Sequence, residues 1–368
     1  MNLKSYTSQN ITVASIGSHS ALDVARGAKD EGFKTLVITQ KGRGDVYSKH
    51  YKTNGELGCV DEVLELEKFK DILNPDIQKK LLEKNVIFVP NRSFEVYLND
   101  YPSIEKKFKV PMFGNKFLLK TEERGVKPNQ YDLLDAAKIR YPKQFTDPKK
   151  IDRLCLVKVL EQERGFERSF FTVSSYKEFQ SEVELRLERG DFTEEQLKKV
   201  VIEEFLVGVQ VNFNYFYSPI TKRLELSGTD TRRQTNLEGF SKIPGVDIEK
   251  VIQSISVKYE EAGHIAVTVL ESLLGDIFAM GERFVAAAAK HVDPGVIGPF
   301  GLQAMILPGP PKKEIVVFDV SPRMPGSPGI SATPYAGYLY GEPITVGRRV
   351  AKEIKLAVGQ NKLELILS

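Results

Sequence analysis

The N-terminal segment constrains the fold most strongly, because it alternates strand, loop, helix and strand. Residues 11–16 are rich in β-branched and apolar side chains, residues 21–31 follow helical spacing, and residues 35–38 are again β-branched. Two strands joined by a helix in this way are usually parallel neighbours in one sheet. The chain therefore opens with a βαβ unit, and we expect a mixed α/β (α+β) fold.

The loop between this strand and helix, Gly17-Ser18-His19-Ser20, brings hydroxyls and an imidazole to the positive end of the helix. With free backbone N–H groups, such a loop suits a phosphate. A dinucleotide-binding turn is disfavoured, because His19 stands where a closely approaching pyrophosphate needs glycine. Ser20, followed by Asp23, equally fits an ordinary helix N-cap, so both interpretations stay open.

Changes of pattern along the chain predict three units. A strand at residues 86–89 runs into a polar loop that ends at Ser93, a position where loops often hold ligands. Antiparallel character begins with a hairpin at residues 154–160 and 169–173, and an aromatic strand starts at Val209. We predict an N-terminal α/β domain, a small subdomain with a hairpin lid and a C-terminal domain, at residues 1–120, 121–206 and 207–368.

Composition excludes several classes of partner. The 52 basic and 49 acidic side chains leave a net charge of only +3, which suggests neither nucleic acid nor an acidic membrane as a bulk partner. Cys59 and Cys155 stand far apart, which argues against a disulfide framework or a zinc site and fits a cytoplasmic protein. The apolar run at residues 295–311 is broken by proline and glycine, so no membrane span is expected.

A lysine within an apolar strand is the first candidate for binding chemistry. Lys158 interrupts the apolar residues 154–160, and an interior lysine is costly unless its ammonium meets an anion. The alternative places Lys158 on the solvent side of an edge strand. The following tip, residues 161–168, is either a lid over phosphates or a solvated turn.

A second candidate is the strand at residues 202–206, which passes directly into a possible interdomain hinge. Main-chain groups of such a hinge can bind adenine, and Glu203 and Glu204 place two carboxylates at the strand end. Further along, Gln303 and Asp319 lie on two strands that we expect to be neighbours. Because magnesium prefers carboxylate oxygens, one acid and one amide predict a weak metal site, or simply the polar ends of two strands.

Taken in order, several segments resemble a known family across nearly the whole chain. They resemble the archaeal formate-dependent synthetases that formylate 5-aminoimidazole-4-carboxamide ribonucleotide (AICAR) in purine (IMP) biosynthesis, which are members of the ATP-grasp superfamily. The segments that carry the resemblance are Gly17-Ser18-His19-Ser20, Gly27-Ala28-Lys29, Glu31-Gly32-Phe33, Phe113-Gly114-Asn115, Tyr215-Phe216-Tyr217-Ser218, residues 236–244, residues 280–284, Gly298-Pro299-Phe300 and Tyr340-Gly341-Glu342-Pro343.

The resemblance implies an ATP-grasp fold with an N-terminal βαβ (pre-ATP-grasp) domain, and a set of ATP contacts. Lys116 and Lys158 would contact phosphates, and Gln210 would take the ribose position. The adenine hinge would consist of Glu203, Glu204, Phe205 and Leu206, with main-chain atoms of Glu204 and Leu206 facing the base.

The resemblance also implies a substrate site, a metal site and a reaction. Ribonucleotide would be held by the loop containing Ser18, His19 and Ser20 together with Ser93 and Asn236. Formate would attack the γ-phosphoryl group of ATP, and the substrate amine would then attack the resulting formyl phosphate. Arg323 would steady this acyl phosphate beside Lys158. Mg²⁺, or Mn²⁺, would bind at Gln303 and Asp319, and the enzyme would be a homo-oligomer acting only on small molecules.

The sequence departs from the family pattern at positions that bear on activity. Gln303 replaces the first metal carboxylate, Asp319 shortens the second, Gln234 replaces an acid, and Arg92 replaces a small residue. Acidic side chains at residues 161–163 would repel triphosphate. Two hypotheses follow: an active ligase, or a catalytically impaired paralogue that binds nucleotide and acts as a regulatory or partner subunit. A ligase for another amine or acid is a third.

Overall fold

The computed structural model describes residues 3, 5–7, 9–158, 170–191, 193–198, 200–234, 243–255, 261–309 and 311–368. Within these ranges, no helix is both long and apolar enough to span a membrane. The strands are β1 Thr12–Ile16, β2 Lys34–Gln40, β3 Glu62–Leu66, β4 Val86–Phe88, β5 Gln144–Phe145, β6 Cys155–Lys158, β7 Phe170–Val173, β8 Val201–Glu204, β9 Val209–Ser218, β10 Arg223–Gln234, β11 Glu261–Ala266, β12 Gly298–Leu307 and β13 Glu314–Ser321. The α-helices are α1 Ala21–Asp30, α2 Pro75–Glu83, α3 Arg92–Leu98, α4 Tyr101–Lys107, α5 Lys116–Leu119, α6 Gln130–Ala136, α7 Tyr176–Glu188, α8 Glu194–Leu197, α9 Gly245–Ser254, α10 Leu274–His291, α11 Pro334–Tyr340 and α12 Val346–Gly359.

The N-terminal sheet is parallel and has the strand order β3-β2-β1-β4. β1 and β2 pair from Thr12 with Lys34 to Ile16 with Ile38, and α1 connects them. Every residue of β1 is buried, as expected for a central strand of a parallel sheet. The predicted βαβ unit is confirmed, and its loop lies at the carboxyl end of β1.

The second sheet is antiparallel and has the strand order β5-β8-β6-β7. β6 and β7 form the predicted hairpin, although the tip between them lies outside the described residues. β6 is an inner strand, flanked by β8 and β7, so the interpretation of Lys158 as a residue of an edge strand is wrong.

The third sheet has the strand order β11-β10-β9-β12-β13 and is antiparallel throughout. One of its faces is covered by α10, whose buried Met280 and Phe284 belong to the same apolar cluster as Phe213 and Tyr215 of β9. The Tyr215 ring stacks on Phe300 of β12 at 4.9 Å between ring centroids. The opposite face carries the polar side chains of Asn212 and Asn214 on β9, with the buried ring of Phe216 two residues further along the same strand.

The C-terminal helix joins the N-terminal domain to the third sheet. It packs against α1, while its Arg349 pairs with Glu225 of β10 and its Glu353 accepts a hydrogen bond from Ser218 of β9. α12 crosses α1. The last residue adds a second contact with the N-terminal domain, since the Ser368 amide donates to the carbonyl of Met112 at 2.9 Å. The three sheets fall in the three predicted units, while this packing joins the third unit to the first. The domain boundaries themselves remain a prediction.

Two glycines allow α1 and α12 to cross closely. A Cβ on Gly27 would overlap the backbone of Gly347 and Arg348, and a Cβ on Gly347 would overlap the backbone of Asp23. The crossing also buries Asp23, which accepts a hydrogen bond from the Gly347 amide at 3.1 Å. Burial raises the pKa of this carboxyl to about 6, although hydrogen bonds from Thr345 and Gly347 oppose the rise.

We predict that Gly27→Ala lowers the free energy of unfolding by at least ~2 kcal/mol, because the added methyl group must push the two helix backbones apart. Gly337→Ala in α11 is the matched control, since a Cβ there meets nothing within 4 Å. That substitution should raise stability by about 0.5–1 kcal/mol through helix propensity. Urea unfolding checks both variants, and equal effects would contradict the close-packing argument.

Candidate active site

A row of polar side chains crosses the polar face of the third sheet. The registers pair Asp319 with Gln303, Gln303 with Asn212, and Asn212 with Asp230, so the four residues share one face on β13, β12, β9 and β10. The sequence predicted only Gln303 and Asp319. Asn212 and Asn214 were missed, although their spacing of two on an apolar strand was a signal that this face is polar.

Gln303 and Asp319 are brought together as predicted. The Gln303 Nε2 donates to Asp319 Oδ2 at 3.0 Å and to Ser321 Oγ at 3.3 Å. In the described part of the chain, Gln303 Oε1 and Asn212 Oδ1 are buried and have no hydrogen-bond partner. Among the same residues no cluster of three or more His, Cys, Asp or Glu side chains could hold a metal, so any cation here would rely on amide oxygens.

Asp230 is the buried centre of a hydrogen-bond network. Its carboxylate accepts from the side-chain amides of Asn212 at 3.0 Å and Asn214 at 2.6 Å, and it contacts His264 Nδ1. His264 Nε2 lies 3.0 Å from Glu261 Oε1. Burial acts to lower the pKa of His264, but the hydrogen bonds to both carboxylates raise it to about 9. The hydrogen bond to His264 lowers the pKa of Glu261 to about 2. The imidazole is therefore a cation held between two carboxylates.

Lys158 meets its anion within the chain. Its Nζ lies 2.5 Å from Glu203 Oε2, and the Tyr131 hydroxyl donates to the other oxygen of the same carboxylate. Arg124 Nε lies 3.1 Å from the Tyr131 hydroxyl and 3.9 Å from Glu203 Oε1. Burial acts to raise the pKa of Glu203, but the charges of Lys158 and Arg124 lower it below its usual range. Glu203 is 1% exposed, so its side chain belongs to this ion cluster, and only its main chain is available to a hinge.

The other residues that were predicted to contact ATP lie at separate places in the structure. The Glu204 amide donates to the Lys143 carbonyl at 2.8 Å and the Phe205 amide donates to the Leu154 carbonyl at 2.9 Å, which anchors the segment leading into Leu206. Gln210 pairs with Met305. The Lys116 ammonium lies 5.5 Å from the Phe117 ring. Burial and the charge of Lys109 lower the pKa of Lys116, and no described contact joins it to Lys158. The ATP roles of these residues remain predictions.

The N-terminal loop faces the third sheet. His19 has a φ of 45°, and its Nδ1 would lie 2.9 Å from a Cβ on Gly326, so the imidazole rests against the loop after β13. The surrounding protein lowers the pKa of His19, mainly through loss of solvent. Glu261 opposes this shift, whereas Arg323 and Arg92 add to it. The charges of Glu261 and His264 on β11 therefore act on His19.

Two details of this loop differ from what its sequence suggested, while its contact with a phosphate stays a prediction. Ser20 occupies the N-cap position, but its hydroxyl donates to the carbonyl of Pro325 rather than to the helix. The Gly17 and Ser18 amides donate to the carbonyls of Ile38 and Ile16, so they are not free for a phosphate.

The loop is held by a residue that the sequence did not single out. Asn91 donates to the Ser18 carbonyl at 3.1 Å, while its side chain also caps α3 next to the buried Ser93.

Arg323 connects the third sheet to the N-terminal domain. Its Nε lies 2.5 Å from Glu95 Oε1 and its terminal nitrogen lies 2.8 Å from Glu122 Oε2. Burial is the main cause that raises the pKa of Glu122 to about 8, although Arg323 and Arg92 oppose it. Arg323 is buried among these carboxylates, whereas Arg92 lies 3.3 Å from Glu122 and is the more exposed guanidinium. The predicted contact of Arg323 with an acyl phosphate remains a prediction.

Two predicted features lie partly or wholly outside the described residues. Asn236 and the acidic hairpin tip at residues 161–168 are not described. Gln234, which stands where the resemblance implies an acid, pairs with Glu261 on β11. An acid is thus present opposite that position, on the neighbouring strand.

Comparison with known proteins agrees with this architecture. The model of a "Domain of unknown function (DUF1297)" matches residues 178–368, and that of a "Protein of unknown function (DUF1246)" matches residues 13–145. The 5-formaminoimidazole-4-carboxamide-1-(β)-D-ribofuranosyl 5′-monophosphate synthetase of Methanothermobacter thermautotrophicus is 39% identical, and the match covers 100% of this chain and 97% of the relative. The synthetase of Methanocaldococcus jannaschii is 38% identical, with 99% and 96% covered.

Solved structures give the same result. The IMP biosynthesis protein PurP from Thermococcus kodakaraensis superimposes with a TM-score of 0.71 at 29% identity, over 97% of this chain and 100% of that one. A phosphoribosylglycinamide synthetase from Anaerococcus prevotii shares the fold, with a TM-score of 0.60 at 12% identity over 96% of this chain and 76% of that one. The fold is that of the ATP-grasp enzymes. Within that class, the chain belongs to the family of 5-formaminoimidazole-4-carboxamide ribofuranosyl monophosphate synthetases.

The raised pKa of His264 predicts a pH-dependent contribution to stability. Because the folded-state pKa of about 9 exceeds the ordinary value of 6.5, the contribution is full below pH 6.5 and is lost as pH rises through 9. Its size is roughly 3 kcal/mol at most. The difference in free energy of unfolding between the native protein and His264→Asn should therefore shrink between pH 6.5 and 9.5.

Chemical denaturation at a series of pH values measures this difference. His50→Asn, at an exposed position on the short turn Val46–His50, is the matched control and should show no such trend. A constant offset between the native protein and His264→Asn at all pH values would contradict the ion-pair assignment.

Proposed function

We propose that this protein is an ATP- and formate-dependent ligase that formylates AICAR to the 5-formamido ribonucleotide for which its relatives are named. The observation that carries the proposal is the position of His19. This residue of the loop after β1 rests against Gly326, in the loop that follows the strand of Asp319, and the charges of Glu261 and Arg323 act on its imidazole. Relatives with the synthetase name match the chain from end to end.

The proposed reaction has two steps. A formate oxygen attacks the γ-phosphorus of ATP, the bond to the β-phosphate oxygen breaks, and ADP and formyl phosphate result. The 5-amino nitrogen of the ribonucleotide then attacks the formyl carbon, phosphate leaves, and the nitrogen loses a proton. Splitting the reaction in this way converts formate, a poor acyl donor, into an activated one.

The charged side chains described above have distinct tasks in this proposal. Lys158 is the positive group proposed to face the transferring phosphoryl group, and Glu203 holds its ammonium in place. Arg124 adds a second positive charge within the same cluster. The ribonucleotide would lie beside His19, next to the loop that follows β13. Arg323 would stabilise this arrangement by tying that loop to Glu95 and Glu122.

The oxygen atoms of the polar row suit a divalent cation. Asp319 offers one carboxylate, and the buried amide oxygen of Gln303, which has no hydrogen-bond partner among the described residues, is a hard neutral ligand. Mg²⁺ or Mn²⁺ bound with ATP would offset the charge of the phosphates. We also propose a cytoplasmic homo-oligomer with the three domains given above, acting on ATP, formate and AICAR alone.

One observation favours a second candidate, a catalytically impaired paralogue that binds nucleotide and serves as a partner subunit. The Gln303 amide donates to Asp319, so the metal position is satisfied without a cation. Two carboxylates at these positions would repel one another until a cation bound. The pair is thus stable in a form that is not ready for ATP chemistry.

ADP release separates the two candidates. Purified protein is incubated with ATP, Mg²⁺, formate and AICAR, and ADP and the formylated ribonucleotide are measured by chromatography. We expect turnover by the native protein and faster turnover by Gln303→Glu, since a carboxylate strengthens the cation site. Turnover by the variant alone, with ribonucleotide binding retained in the native protein, would support the impaired paralogue and contradict the ligase.

The proposed role of His19 gives a specific kinetic prediction. His19→Ala should raise the KM for AICAR about tenfold, the effect of losing one hydrogen bond of roughly 1.4 kcal/mol to a charged group. The KM for ATP should stay unchanged. His291→Ala, at the exposed end of α10, is the control. Steady-state kinetics with each substrate varied in turn checks this, and an equal rise in both KM values would argue for general damage to the fold.

A further inference from the structure

Only the nitrogen of the Gln303 side-chain amide has hydrogen-bond partners among the described residues. Its nitrogen donates to Asp319 and Ser321, both on β13, at 3.0 and 3.3 Å. Its oxygen is buried and has no partner among the described residues. A buried acceptor without a donor is rare in folded proteins, and such atoms often mark a site that binds something else.

The residue directly opposite on the other neighbouring strand has the complementary defect. Asn212 pairs with Gln303 across β9 and β12, so the two side chains lie side by side on the same face. The Asn212 amide nitrogen is used, because it donates to Asp230 at 3.0 Å. Its oxygen is buried and, within the described ranges, unpaired. Gln303 Oε1 and Asn212 Oδ1 are thus two neighbouring acceptors without a donor among the described residues. The Gln303 nitrogen, which could donate to Asn212, is turned towards β13 instead.

We propose that Gln303 is a two-position amide, and that a half-turn of its amide group couples divalent-cation binding to the polar row. In the position described above, the nitrogen takes the place of a cation by donating to the oxygens of Asp319 and Ser321. In the other position, the oxygen faces Asp319 and the cation, and the nitrogen faces the oxygen of Asn212. Nitrogen and oxygen exchange places without any covalent change.

The inference rests on the proposed function, since the cation is the one that would accompany ATP. It goes further by assigning Gln303 both a blocking and a binding role. The cation must displace two hydrogen bonds, so binding is weaker than at a pair of carboxylates. In return, the metal-free site carries one negative charge, whereas a pair of carboxylates would carry two. Asp319 also keeps a hydrogen-bond donor.

Mn²⁺ binding tests the proposal without any turnover. Mn²⁺ alone is titrated into native protein, Gln303→Met, Gln303→Glu and Gln360→Met, and free Mn²⁺ is measured by electron paramagnetic resonance. Methionine has a similar length but no amide, so Gln303→Met should raise the Kd about tenfold through loss of an oxygen ligand. Gln303→Glu should lower the Kd by about the same factor. The exposed Gln360→Met should leave the Kd unchanged.

If Gln303 only blocked the site, Gln303→Met would bind Mn²⁺ as tightly as the native protein or more tightly, and this result would overturn the proposal.

The amide rotation has a direct readout in the native protein labelled with ¹⁵N-glutamine. The side-chain amide resonance that disappears in Gln303→Met identifies Gln303, and this resonance should shift when Mg²⁺ is added. A resonance that stays in place while Mg²⁺ binds would also overturn the proposal. Because no ATP or ribonucleotide is present, neither outcome depends on the ligase activity.

Discussion

The register of β9 in the third sheet is the constraint on which the site depends. This strand pairs with β10 on one side and with β12 on the other. Phe213 and Tyr215 point into the core beneath α10, and the alternate residues Asn212 and Asn214 point to the polar face. Because side chains alternate along a strand, a shift of one residue would put the asparagines in the core and the aromatic rings in the cleft. The aromatic core therefore fixes the position of every polar group in the row.

Buried charges are the second organising feature of the cleft. Asp230, Glu203 and Glu95 are buried, Glu122 is partly buried, and each meets at least one cationic partner. An isolated buried carboxylate is costly, so removal of one cation leaves an uncompensated charge. Their partners come from distant parts of the chain, and Arg323 reaches from the third sheet to acids of the N-terminal domain. The same ion pairs that balance the charges thus also hold the walls of the cleft together.

Local patterns predicted the elements of the fold well. The βαβ start, the hairpin of β6 and β7, the long helix α10 and the adjacent strands carrying Gln303 and Asp319 all follow from hydrophobic periodicity and turn residues. The site was predicted less completely. Asn91, Arg124, Asp230 and His264 were not singled out, because a polar residue in a loop or on a strand looks like any solvated residue until its neighbours are known. The inner position of β6 was likewise undecided, since strand order depends on pairings between distant segments.

The sequence by itself determined the fold class, the order of the elements and, through resemblance to a family, the class of reaction. These depend on local propensity and on motifs that survive in linear order. Only the tertiary structure decided that Lys158 pairs with Glu203, that Arg323 is buried between two acids, and that the Gln303 amide turns its nitrogen to Asp319. Each of these depends on distance and burial, because the energy of a charge or a hydrogen bond is set by the groups that fold around it.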